Sequence, residues 1–166
     1  MAQTFLKVVV LLTALFALSA CGGSKFREYN GETVTRVEVH KAARKMYLLH
    51  ETKILKEYDI KLGGNPVGPK QFEGDRKTPE GAYLITHRNP RSAYHLSLGI
   101  SYPNSANRAF ALANGKPPGG DIFIHGENNR GSSRGDWTVG CIAVTDKQIE
   151  EIYAMVNPGT LIVIFP

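Results

Sequence analysis

From Glu32 onward, apolar and polar positions alternate with a period close to two, the spacing of strands with one face buried. Val34, Val37 and Val39 alternate with Arg36 to give a first strand, residues 44–49 a second and residues 54–60 a third, so the domain is expected to open as a β-meander. Gly63, Gly64, Pro66, Gly74 and Pro79 interrupt the pattern and predict a long loop over residues 63–80, a length that in compact domains tends to carry function. β character resumes at residues 81–86 and 122–124, and residues 106–113 read as a short helix closed by Asn114 and Gly115. Residues 145–153 begin with the cap residues Thr145 and Asp146 and place Ile149, Ile152, Tyr153 and Val156 on one face. Asn157, Pro158 and Gly159 stop that helix, and residues 161–165 form a last strand. The expected class is mainly β, with one or two short helices, and 166 residues correspond to about one domain.

Residues 1–20 follow a different rule. One charge, Lys7, precedes an apolar run from Val8 to Leu18 and then small residues, which is the layout of a secretory signal. The run is short of the roughly 20 apolar residues that a membrane-spanning helix needs. Leu18-Ser19-Ala20-Cys21, followed by Gly22-Gly23-Ser24, resembles the bacterial lipobox. That resemblance implies a lipoprotein signal peptide over residues 1–20, lipidation at Cys21 and a flexible tether over residues 21–31, with the folded domain at residues 32–166. An ordinary cleaved signal or an uncleaved anchor is the alternative.

Composition changes this picture little: 42% hydrophobic and 21% charged residues are the ordinary globular mix, which excludes global disorder. Charge and cysteine count change it more. Without Lys7 the chain carries 19 basic and 15 acidic residues, a net +4, scattered without a basic run, so no nucleic-acid partner is indicated and an anionic envelope polymer fits better. Export implies an oxidising compartment, yet Cys21 and Cys141 are the two cysteines, which excludes a disulfide framework. With Cys21 acylated, Cys141 is a lone thiol that must be either buried or used. His40, His50, His87, His95 and His125 lie far apart in sequence, so no metal site and no cofactor are expected.

Candidate chemistry concentrates between residues 121 and 146. Asp121-Ile122-Phe123-Ile124-His125-Gly126 places an imidazole where a strand runs into a glycine-rich loop, and Trp137-Thr138-Val139-Gly140-Cys141-Ile142 places the thiol at the start of an apolar segment. A thiol is only a few per cent ionised near neutral pH, and a neighbouring imidazole that takes its proton makes it a competent nucleophile. Gly140 admits a substrate carbonyl to backbone N–H groups that can hold an oxyanion. An inertly buried cysteine and a structural histidine are the alternative to this pairing.

Ile124-His125-Gly126, Asp136 to Val144 and the terminal Gly159-Thr160-Leu161-Ile162-Val163-Ile164 resemble the catalytic core of the L,D-transpeptidase (YkuD-like) family across nearly the whole mature chain. Gly74-Asp75-Arg76-Lys77-Thr78-Pro79-Glu80-Gly81 is similar to that family's GD-x-x-TPEG turn, and Tyr94 to Leu98 with Ser101-Tyr102-Pro103-Asn104 resembles a subgroup often lipid-anchored or periplasmic. The resemblance implies a β-sandwich-like catalytic domain that acts on peptidoglycan peptide stems without metal or cofactor. Cys141 would attack the carbonyl at the L-centre of meso-diaminopimelate in a tetrapeptide stem, release D-alanine and form a thioester. His125 would be the base, oriented by a main-chain carbonyl near Gly126. Gly140, Thr138 and the Cys141 amide would shape the oxyanion site, and an amine of a second stem or of an envelope protein would resolve the acyl enzyme.

The sequence departs from the family's S-x-G-C-I-R by Thr138, which keeps a hydroxyl, and by Ala143, which loses a cation. Arg91, Arg130 and Arg134 are candidate replacements for binding a stem carboxylate. His95, Asp136 and Trp137 are further substrate-binding candidates, while Asp75 and Thr78 are expected to hold their own turn. Two other activities stay open: an amidase or endopeptidase that hydrolyses such links or protein–peptidoglycan links, and a non-catalytic wall-binding lipoprotein. The expected location is exported and lipid-anchored, facing the periplasm, on the inner leaflet of the outer membrane in a two-membrane organism.

Overall fold

The computed structural model describes residues 24–128 and 135–166. β1 (Arg36–His40) and β2 (Lys45–His50) form an antiparallel hairpin, and β3 (Lys53–Asp59) adds to β2. The alternation read from sequence works as expected: Val37, Val39, Met46 and Leu48 are fully buried, with Val37 opposite Leu48 and Val39 opposite Met46. β4 (Gly81–Asn89), β5 (Ser97–Ile100), β6 (Phe123–His125), β7 (Ile142–Ala143) and β8 (Leu161–Phe165) complete one mixed sheet of eight strands in the order β3-β2-β1-β8-β4-β5-β6-β7. β8 returns through the middle, parallel to β1 and antiparallel to β4. The first half of β4 pairs with β8 and its second half with β5, with an irregular register between Ile85 and Arg88. One long strand therefore belongs to both leaves, and irregularities of this kind bend a sheet. The sheet curls into a half-barrel around a single apolar core drawn from both leaves, which is the mainly β, sandwich-like domain expected.

α1 (Ser105–Ala113) and α2 (Asp146–Met155) both start with capping boxes, Asn104 with Asn107 and Thr145 with Gln148. α2 buries Ile149, Ile152 and Met155, and packs on β5 and β6. β5 was not read as a strand from sequence. All four of its residues are buried, so it shows no alternation between a wet and a dry face. Among the described residues, no helix is long and apolar enough to cross a membrane.

Past β3 the chain crosses to the opposite edge of the sheet. Ile60 donates its N–H to the Arg44 carbonyl beside β2, and Lys61 exchanges both backbone hydrogen bonds with Ala143 of β7 (2.9 and 2.8 Å). The Thr138 N–H then donates to the Leu62 carbonyl, and the Gly64 N–H to the Thr138 carbonyl. This 60–64 strap joins the two ends of the curled sheet. Asp136 locks it, accepting the Leu62 N–H at 2.9 Å while pairing with Arg44 at 2.7 Å. The buried ammonium of Lys41 fastens the next loop, donating to the carbonyls of Gly68 (2.8 Å) and Thr78 (3.1 Å) and to Glu80 (2.7 Å). An ammonium with three acceptors is one of the few forms in which lysine can be buried.

The segment expected to be a flexible tether is held over part of its length. Arg27 pairs with Glu150 and Glu151 of α2, Phe26 packs against Tyr153, and Lys25 donates to the carbonyls of Pro90 and His95. Composition near Gly22 suggested flexibility, but the charges that follow find acids on α2.

Replacing Asp136 by alanine strands the buried Leu62 N–H and frees a half-exposed Arg44. The expected loss is about 2 kcal/mol, most of it from the unpaired amide, and Arg44→Ala should lose less. Urea unfolding of the two variants beside the native protein measures both.

Candidate active site

Ile124 pairs with Ile142 and His125 with Ala143 in the parallel β6–β7 ladder. Ile124 and Ile142 are fully buried on the core face. Alternation therefore puts His125 and Ala143 on the other face, and Cys141, one step before β7, on that same face. The sequence-predicted pair is thus carried by β6 and the residue that leads into β7, with Cys141 two residues before Ala143, the register partner of His125.

The imidazole is fixed on every side. Its Nδ1 lies 2.6 Å from the Gly126 carbonyl, which can only accept, so the proton sits on Nδ1 and the Nε2 lone pair is left free. Tyr94 stacks on the ring at 4.4 Å between centroids, and Trp137 meets it edge-on at 5.8 Å. Burial under these rings pushes the His125 pKa below its ordinary value, outweighing the opposite effect of the Gly126 carbonyl. Burial likewise pushes the half-buried Cys141 thiol up, against a lowering contribution from the Phe123 amide. Sγ donates to the Asp121 carbonyl at 3.4 Å. The resting pair is therefore a neutral thiol and a neutral base.

Gly140 makes the turn into Cys141 at φ +137°, and a Cβ there would stand 2.7 Å from the Lys77 carbonyl. Its N–H donates to Thr138 Oγ1 at 3.1 Å, and that hydroxyl donates to the Cys141 carbonyl at 2.8 Å. Thr138 and Gly140 thus tie the turn to itself. The Gly140 amide expected at an oxyanion site is engaged inside the turn, which leaves the Cys141 amide as the backbone donor at the start of β7.

The loop after His125 is held by α2. Asp146 Oδ1 accepts the N–H groups of Glu127 (2.9 Å) and Asn128 (2.8 Å), and lies 2.5 Å from where a Cβ on Gly126 would stand. The Gly126 N–H itself donates to the Tyr94 carbonyl at 3.1 Å.

Other expected substrate contacts sit elsewhere. The His95 ring is turned to Glu150 of α2 at 2.9 Å, and the Asp136 carboxylate is occupied by Arg44 and the strap, so both serve the scaffold in this arrangement. Trp137 stays with the histidine, and its indole N–H is buried with no acceptor among the described residues. Arg130, Arg134 and Cys21 lie outside the described residues. The Asp75 carboxylate holds its own turn as expected: burial would raise its pKa, but hydrogen bonds from Phe72, Lys70, Lys77 and Gln71 bring the net value below the usual range. Thr78 instead accepts the strap's Gly63 N–H.

A groove of about 600 Å³ is lined by Lys70, Glu73, Arg76, Pro118 and Val139 among others, and by Asp121, whose carbonyl accepts the Cys141 thiol. The Arg76 guanidinium lies against Gly64 and has no acidic partner among the described residues, whereas Lys70 is paired with Asp75. Arg76 was passed over in sequence because it looks like one more loop cation. The chain path that brings it to the groove runs through the strap. Among the described residues, no group of three or more metal-ligating side chains is present.

Two titrations follow. The His125 ring, followed by NMR, should take its proton below its ordinary pKa of 6.5. Because the unfolded chain binds that proton first, folded stability contributed by the neutral ring is present above about pH 6.5 and falls as pH drops below it. Cys141 alkylation by iodoacetamide, followed by mass spectrometry, should keep accelerating past pH 9.

Residues 34–164 match the YkuD L,D-transpeptidase catalytic domain. The chain is 32% identical over 111 residues to the Escherichia coli K12 protein named "Putative L,D-transpeptidase YafK", covering 66% of this chain and 39% of that protein. The crystal structure of Pgp2, the helical cell shape determining protein of Campylobacter jejuni, superposes with a TM-score of 0.62 at 28% identity, over 90% of this chain and 54% of that one. Bd1075 of Bdellovibrio bacteriovorus shares the fold, with a TM-score of 0.58 at 24% identity over 84% of this chain and 50% of that one. The chain spans about half, or less, of the length of these relatives. Because the domain match runs nearly from β1 to the end of β8 and includes the histidine and cysteine strands, this chain belongs to the L,D-transpeptidase catalytic domain family, whose members are typically cysteine enzymes acting on peptidoglycan peptide stems.

Proposed function

We propose that the chain is a peptidoglycan L,D-transpeptidase with Cys141 as nucleophile and His125 as general base. The observation that carries this reading is the register of His125 against Ala143, two residues after Cys141, together with the 2.6 Å contact of Nδ1 with the Gly126 carbonyl that leaves Nε2 free. His125 Nε2 takes the thiol proton as Sγ bonds to the carbonyl at the L-centre of diaminopimelate, so no thiolate is needed at rest. The Cys141 amide holds the developing oxyanion. The tetrahedral species collapses by breaking the C–N bond, the proton passes from Nε2 to the departing D-alanine amine, and a thioester stays on Cys141. An amine of a second stem, or of an envelope protein, then attacks and regenerates the thiol. The groove beside the thiol receives the stem, with Arg76 as the cation facing its carboxylate.

One observation favours hydrolysis as the second reading. Ala143, where the family pattern has arginine, is fully buried between the His125 strand and the strap, so that position offers an acceptor no cation. Water would then compete for the same thioester.

Lipidation at Cys21 fits the held N-terminal segment. Lys25 stands four residues later, a reach of at most about 14 Å. The domain would sit close to the membrane, on the periplasmic side, with α2 and the turn after β4 nearest the anchor.

The test is muropeptide analysis by mass spectrometry of sacculi incubated with the domain, beside Cys141→Ala. New L,D-linked dimers with D-alanine release from the native protein alone are the expected result. Loss of existing links with free stems would establish the hydrolase, and identical products from both proteins would make this a wall-binding lipoprotein with an idle thiol.

A further inference from the structure

We infer that Asp146 is a positioning residue that sets the tautomer of His125, an inference about the base that rests on the proposed function only for its kinetic consequence. One carboxylate oxygen, Oδ1, accepts two successive backbone N–H groups, those of Glu127 and Asn128, and packs against the Gly126 Cα. These contacts, with the Gly126 N–H held by the Tyr94 carbonyl, fix the peptide planes around Gly126. The Gly126 carbonyl is thereby aimed at Nδ1 of the preceding residue, 2.6 Å away. Such a contact between a side chain and the carbonyl one residue later depends on the loop's shape, because an unrestrained peptide plane turns freely and either ring nitrogen can then carry the proton. A ring protonated on Nε2 has no lone pair there for the thiol.

Asp146 is also the first residue of α2, where any carboxylate is favoured by the helix dipole. The two roles make opposite demands. Positioning needs an acceptor oxygen at the Oδ1 place and no charge, whereas the helix start needs charge and tolerates a longer side chain. Asp146→Asn keeps the oxygen and loses the charge. Asp146→Glu keeps the charge and moves the oxygen by one methylene into space bounded by Gly126.

The experiment is ¹⁵N NMR of the His125 ring, with stem-peptide kinetics, in native protein, Asp146→Asn, Asp146→Glu and Asp146→Ala. The expected result is one ring pattern, protonated on Nδ1, in native protein and Asp146→Asn, and a mixed or reversed tautomer in Asp146→Glu and Asp146→Ala. In those two, kcat should fall roughly tenfold or more with KM unchanged, a part of the 10²–10⁴ that a general base supplies. Native-like ring signals in Asp146→Glu, or loss of the Nδ1 pattern in Asp146→Asn, would overturn the inference and leave a helix-start role. The Asn and Glu variants carry the test even where alanine impairs folding. A protein without transpeptidase activity would remove the proposed function, while the ring signals would still decide the role of Asp146.

Discussion

The strap at residues 60–64 is the constraint on which the arrangement depends. A curled sheet of eight strands has two edges, and its last strand, β7, is only two residues long. A strand that short cannot hold the neighbouring thiol in register by one ladder. Pairing with β6 on one side and with Lys61 on the other gives Ala143 partners on both edges, and the Thr138 hydrogen bonds extend the same grip to the turn before Cys141. Asp136 and Arg44 hold the strap to the β1–β2 hairpin, so the first third of the chain fixes the position of a thiol near its end. The GD-x-x-TPEG loop leaves the strap and returns under Gly140, which is why that turn needs a residue without a Cβ.

α2 plays the matching part for His125. Its first residue, Asp146, grips the loop after His125, and Glu150, one turn later, holds His95 and Arg27. Tyr94, beside His95, stacks on the His125 ring, so the N-terminal segment, the helix and the histidine are mechanically continuous. Electrostatically the centre is quiet. Burial disfavours charge on both His125 and Cys141, so the resting thiol stays neutral and is less open to oxidation than a thiolate.

Much of this was legible in the sequence, and the reasons for the rest are physical. Alternation found β1, β2, β3 and β8 because each has one face toward the core and one toward solvent. It missed β5, buried on both faces, and it gave no hint of the strap, whose partners Asp136, Thr138 and Ala143 lie 74–82 residues away in sequence. Spacing drew attention to Cys141 and His125, and the family resemblance implied the His125–Gly126 carbonyl contact that the structure holds at 2.6 Å. Asp136 and His95 looked like ligands because charged and titratable residues near a motif invite that reading, and only the fold supplies Arg44 and Glu150 as their partners. Asp146 was visible only as a helix-start residue, since its second role depends on a loop 19 residues earlier.

The central claim is that Cys141 becomes acylated through His125. The direct measurement is intact-mass analysis, with peptide mapping, of the domain mixed rapidly with a tetrapeptide stem. The account predicts a stem adduct lacking D-alanine, located on Cys141 and absent from His125→Ala. An adduct on another residue, or equal acylation of Cys141 without the imidazole, would contradict it.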